Sequence, residues 1–293
     1  MHRLLRRPRH ARDRWADRPI GVAILAYACC RADKQVVVVA DGRNAHLVRE
    51  ALIILDPGCL KHIAIESVPA YGLAGMGEVR NVLDTHHLIS ILHKHEIDAM
   101  VHIEVPGRNK EGAYLNMRGI PISDFNAPLD DLMNFANSLL LNTVGVGDGG
   151  NEAGMGGMSG VPAALNGQDM QAVVPAAHQV IAWNSNLGAI ALGEFVLAAA
   201  GKDASCTPAA FESMVRTMFK LGAVDGVTRK AGLDERMENP ACRVTTTTPA
   251  WMVRAAQSTS AICCNCRTLR ITCRSNGPTL AIIILNRTDT HCL

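Results

Sequence analysis

Residues 36–41 read VVVVAD, four β-branched side chains in succession followed by an alanine and a carboxylate. A strand with one wet face alternates apolar and polar residues. An unbroken apolar run is instead buried on both faces, as in a parallel strand covered by helices on either side. Parallel neighbours need crossover connections, usually helical, and the chain supplies them. Residues 44–55 carry helical periodicity and stop at Asp56-Pro57-Gly58. Further strands are predicted over 63–66, 99–104 (AMVHIE), 142–148 (NTVGVGD) and 172–182, and further helices over 78–96, 129–141, 187–200 and 208–221. That order predicts an α/β fold, a three-layer sandwich around a mostly parallel, Rossmann-like sheet.

Composition divides the chain in three. Residues 1–18 hold seven Arg and two Asp, and residues 241–293 six Arg and one Asp, so each end is net +5. The block between them has 16 basic and 24 acidic side chains, so the body is acidic although the whole chain sums to +2. We therefore expect an α/β domain over 19–240 between two segments of other character. The basic start reads either as a transit-like peptide or as an extension without structure of its own; it is poor in acids but lacks the usual Ser enrichment. The tail holds six of the ten Cys, among them Cys263, Cys264, Cys266 and Cys273, yet their spacing fits no paired zinc knuckle. It is expected to be unstructured or to lie outside the catalytic fold, so that its removal leaves secondary structure per residue unchanged or higher. Nucleic-acid binding is discounted, because the basic ends lack interleaved aromatics and the body is acidic. No stretch approaches eighteen apolar residues, so no membrane-spanning helix is expected. The protein is expected to be intracellular, in the mitochondrial matrix or the cytoplasm.

In open parallel sheets, ligands bind beyond the carboxyl ends of the strands. Asp41, Glu66, Glu104 and Asp148 all fall at that position on this reading. Carboxylates gathered on one rim repel unless a cation or shared protons join them, so a divalent metal or a substrate ammonium group is expected there. The strongest local signal is the string from Gly145 to Gly157, with seven glycines in thirteen residues. Glycine costs backbone entropy, so such density implies close approach or positive φ. Its letters satisfy the dinucleotide pattern, but Asp148 and Glu152 would oppose a pyrophosphate, and no nucleotide cofactor is expected. Two arginines, Arg108 and Arg118, are suited to clamping a dicarboxylate, with surface ion pairing as the alternative for each. Asn186 stands at a strand-to-helix turn, as a cap or a ligand contact.

These places also carry a resemblance. The runs 104–108 (EVPGR), 114–119 (YLNMRG), 145–152 (GVGDGGNE) with Gly154-Met155-Gly156, 185–188 (SNLG) and 222–228 (GAVDGVT) resemble the D-glutamate cyclase family, in the family's order and over about residues 19–230. The resemblance implies a hydro-lyase that dehydrates D-glutamate to 5-oxo-D-proline on an α/β fold, with an acidic pocket for Mg2+ or Mn2+. Cyclisation needs a neutral amine, a polarised γ-carboxyl and an acid for the departing water. Glu104 or Glu152 would serve as base, and Asp148 and Asn151, with Glu152, would hold the metal. Arg108 or Arg118 would bind the α-carboxylate, with Asn116, Gly147, Gly149, Gly150 and Asn186 completing the substrate site. Family members usually open with a strand, which is missing here before residues 16–21 (ADRPIG). None of Cys29, Cys30, Cys59 and Cys206 lies in a motif, and no nucleophilic thiol is required. The alternatives are a metal-dependent hydrolase or phosphatase acting on a small anion, and a non-catalytic family member. The expected partner is a small dicarboxylic amino acid, and a homo-oligomer is compatible with the sequence.

Overall fold

The computed structural model describes residues 14–15, 18–42, 44–68, 77–123, 126–224 and 279–284. Most of the basic start, the cysteine-rich stretch and the 225–228 part of the resemblance lie outside these residues. The first long element is α1 (Arg18–Arg31), which periodicity does not reveal. It is apolar on every side, with Ile20, Val22, Ile24, Leu25 and Cys29 all buried, and a helix covered all round shows no polar stripe.

The valine run forms β2 (Gln35–Asp41), buried in all but its first residue. Val36, Val38 and Ala40 join one core with α1, α2 (Ala45–Leu55), α5 (Ser185–Ala199) and α6 (Pro208–Lys220). Val37 and Val39 join a second core with α3 (Gly77–Lys94) and α4 (Leu129–Ser138). One strand thus feeds two apolar layers, and the molecule is the expected three-layer α/β sandwich.

Around β2 the sheet contains β3 (Ile63–Val68), β4 (Ile97–Ile103), β5 (Asn142–Gly147), β6 (His178–Ile181) and β8 (Thr279–Ile284). All pairs are parallel, in the order β3-β2-β8-β4-β5-β6. A separate two-residue pair joins β1 (Arg14–Trp15) to β7 (Ala223–Val224).

Two expectations need correction. The tail does enter the fold at Thr279–Ile284, which runs between β2 and β4 with Gln35 and Ile97 opposite Thr279, and Ala40 and Ile103 opposite Ile284. The segment is an unbroken apolar run, TLAIII, like 36–41, but it stands isolated in the tail and its partners are strands far back in the chain. In the doubly wound order 3-2-1-4-5-6 the centre belongs to the first strand, whereas here the last described strand holds it. The strand expected over 172–182 shortens to His178–Ile181. Residues before it bond to the glycine string, Ala172 N–H to the Gly150 carbonyl and Ala176 N–H to that of Gly154, and Pro175 has no N–H to give a ladder.

Candidate active site

β4 and β5 run side by side, with Ile103 opposite Val146, so the residues that follow them, Glu104 and Asp148, leave the sheet at one rim. Glu104 turns sharply there, at φ 55°. A left-handed conformation in a non-glycine residue costs about 1–3 kcal/mol and persists only where its surroundings hold it. Its N–H donates to the Val146 carbonyl at 3.0 Å, and the residue is buried at 5% exposure.

After Gly147 the glycine string folds back onto β5. A Cβ on Gly145 would lie 2.8 Å from the Cα of Gly154, and one on Gly147 would lie 2.9 Å from Glu152 Oε2. The side chain missing at 147 is the room in which the Glu152 carboxylate sits. Two successive amides hold it, Gly149 N–H to Oε1 at 3.1 Å and Gly150 N–H to Oε2 at 2.7 Å. Backbone donors in succession make a concave anion seat, here filled by the chain's own carboxylate.

The third contribution comes from α5. Asn184, not Asn186, caps this helix, its Oδ1 accepting from Asn186 N–H at 3.0 Å and Leu187 N–H at 3.3 Å. Ser185, the first helical residue, donates its N–H to Asp148 Oδ2 at 3.2 Å. Its hydroxyl donates a short hydrogen bond to Glu104 Oε2. The positive end of a helix thereby faces the acids, as its dipole favours. One oxygen from each of Glu104, Asp148 and Glu152 lies within 4.8 Å of the others.

Three carboxylates at that spacing cannot all stay ionised without a counter-charge. Beside them Asn151 is 1% exposed, and its Oδ1 has no hydrogen-bond partner while its Nδ2 donates to the Leu115 carbonyl at 2.9 Å. A buried orphan acceptor costs about 1–3 kcal/mol. Carboxylates plus an amide oxygen are hard donors, the kind that Mg2+ and Mn2+ prefer, so these residues fit a divalent cation. The adjoining cleft, about 100 Å³, is lined by Gly147, Asp148, Gly150, Met155, Val161 and Ile181 among others, with no Arg, Lys or His among the described residues of its wall.

Other residues expected at the site stand elsewhere. Arg108 is committed to Asp130, through Nε at 2.9 Å and a terminal nitrogen at 3.0 Å, and also pairs with Asp131. It borders a different cleft, with Lys110 and Asn134. Burial opposes its charge, but the Asp130 hydrogen bonds and charge outweigh that and push its pKa further up. Asn116 is fully buried and closes a turn by accepting from Arg118 N–H and Ile120 N–H, both at 2.9 Å. Arg118 sits on that turn, one residue past Met117, whose sulfur packs against Gly149. Asn186 Oδ1 accepts from Gly21 N–H at 3.1 Å, joining α5 to α1. Glu66 lies within β3 rather than at its end and pairs with Lys94 and His95. Asp41 is buried at the end of β2, outside the converging trio. Burial pushes the Cys59 thiol up to about 11 and that of Cys206 to about 12, consistent with inert thiols.

Ser185 lies in the 185–188 run, but motif reading gives it no role. The available signal is the Asn184-Ser185 pair ahead of an apolar helical run, which marks a helix start and hence a positive end at the rim.

The family described as "D-glutamate cyclase-like, C-terminal" matches residues 10–235 of this chain. The human protein named "D-glutamate cyclase, mitochondrial" is 41% identical over 98 residues, which cover 32% of this chain and 16% of the human protein. The match therefore spans about a sixth of that relative's length.

Proposed function

The chain belongs to the D-glutamate cyclase-like family, and from that premise we propose that it is a hydro-lyase closing D-glutamate to 5-oxo-D-proline. The observation that carries this reading is the convergence of Glu104, Asp148 and Glu152 within 4.8 Å at the edge of a small cleft.

The substrate enters with an α-ammonium group, which must lose a proton before its nitrogen can attack the γ-carbon. Glu104 is the proton acceptor. Both oxygens of Glu152 are engaged by amides, whereas Glu104 is held by the Ser185 hydroxyl and stands buried on the same rim. Ring closure forms the C–N bond and frees a second proton from nitrogen. Glu104 passes the first proton to the departing γ-oxygen, then takes up the second and delivers it to the same oxygen, so the C–O bond breaks with loss of water and the base of the first half is the acid of the second. Asp148, Glu152 and the Asn151 Oδ1 would hold Mg2+ or Mn2+. Such a cation, when bound, withdraws electron density from a γ-carboxyl oxygen and stabilises the tetrahedral oxyanion. Arg118, on the turn beside Met117, is the cationic side chain assigned to the α-carboxylate. Holding both carboxyl ends of a folded glutamate brings amine and γ-carbon together, the kind of orientation that supplies much of an intramolecular barrier reduction. The proposed location is the mitochondrial matrix or the cytoplasm, the human relative being named as mitochondrial.

A metal-dependent hydrolase acting on a small anion would use the same acidic rim. The two chemistries separate in one assay: the purified chain with Mn2+ is offered D-glutamate and, separately, p-nitrophenyl phosphate. Consumption of D-glutamate alone is expected. Turnover of the phosphate ester without any of D-glutamate would replace this reading with the hydrolase.

A further inference from the structure

We infer that Ser185 is a positioning residue of this site, one that sets the spacing between the proton acceptor Glu104 and the cation-holding carboxylate Asp148. The inference rests on the cyclase reading. A single residue touches both acids, the hydroxyl reaching Glu104 Oε2 and the backbone N–H reaching Asp148 Oδ2 at 3.2 Å. Ser185 is 1% exposed, so its hydroxyl is withheld from bulk water. Nor is that hydroxyl spent on capping, since Asn184 does this for α5.

Ser185 is itself anchored. The next residue, Asn186, ties the start of α5 to α1 through the Gly21 N–H, and Gly21 has no alternative side chain there, because a Cβ would fall 2.5 Å from Asn186 Oδ1. The base, by contrast, sits on a residue bent to φ 55° at a strand end. Catalytic groups must be held within about 0.5 Å by neighbours on rigid elements, and a misplacement of about 1 Å costs on the order of 10²-fold in rate.

Ser185→Ala removes the hydroxyl and keeps the amide to Asp148, so the two contacts can be told apart. Relative to wild type, we expect kcat for D-glutamate to fall on the order of 10²-fold, with KM and the calorimetric Mn2+ affinity each kept within about twofold. Ser185→Thr, which retains a hydroxyl, is expected to restore most of kcat. A Ser185→Ala protein with wild-type kcat would overturn the inference while leaving the cyclase reading in place. If Ser185→Ala does not unfold cooperatively, Ser185→Thr against Ser185→Cys decides: equal rates overturn it, and a slow thiol variant supports it. A wild-type chain inert toward D-glutamate overturns the cyclase reading and this inference together.

Discussion

Asp148 is the exposed member of the trio and hangs off a strand end rather than filling the core. Asp148→Asn is therefore expected to abolish Mn2+ binding in calorimetry and turnover of D-glutamate, with the melting temperature unchanged within a few degrees; wild-type turnover would remove Asp148 from the mechanism. His102, two residues before Glu104, behaves differently. It is fully buried with neither ring nitrogen hydrogen-bonded, and burial pushes its imidazole down from 6.5 to about 3. The folded chain refuses a proton that the unfolded chain accepts, so the cost is absent above pH 6.5 and grows as pH falls from 6.5 toward 3. One such group lowers stability by up to about 1.4 kcal/mol per pH unit. His102→Phe is expected to shrink the difference between urea unfolding at pH 7.5 and pH 4.5 by about 2–3 kcal/mol; an unchanged difference would mean that His102 is not the group excluded from its proton. At this scale Glu104 and Asp148 are legible from sequence, because both follow apolar strands and the rim rule applies to both. The partners of Arg108 are not, since Asp130 and Asp131 belong to another element and only packing brings them together.

At the scale of elements, the junction of α1 and α5 carries the next expectation. Asn186 looks like a ligand residue in a motif, yet its side chain serves Gly21. Asn186→Ala leaves a buried N–H without its acceptor, which costs about 1–3 kcal/mol. We expect chemical denaturation to show that loss and, because Asn186 anchors Ser185, kcat for D-glutamate to fall with KM kept within about threefold; a large rise in KM with stability intact would return Asn186 to the substrate. The helices α2, α4 and α6 declare themselves through one polar face each. α1 does not, because its amphipathic signal vanishes when every side is covered. The length of β6 is hidden for a related reason: the apolar 172–177 stretch is packed against the glycine string rather than paired in the ladder.

For the whole molecule, the position of β8 matters most. β2 and β4 each pair with it along its length, and without it the ladders of two buried strands would face one another unpaired, at about 1–3 kcal/mol per orphaned group. Deleting residues 279–293 is expected to abolish cooperative thermal unfolding; a truncated chain that melts as sharply as the full one would show that the centre of the sheet does not depend on β8. Charge and cysteine content set the tail apart from the body in sequence, but composition says nothing of which strand needs a neighbour. The most direct measurement follows 5-oxoproline by NMR from D-glutamate and from L-glutamate, each with Mn2+ and each with chelator. Product from the D isomer that chelator suppresses is the expected result. No product from a cooperatively folded, Mn2+-binding sample, or equal product from both isomers with and without chelator, would contradict the assignment of the acidic rim to D-glutamate cyclisation.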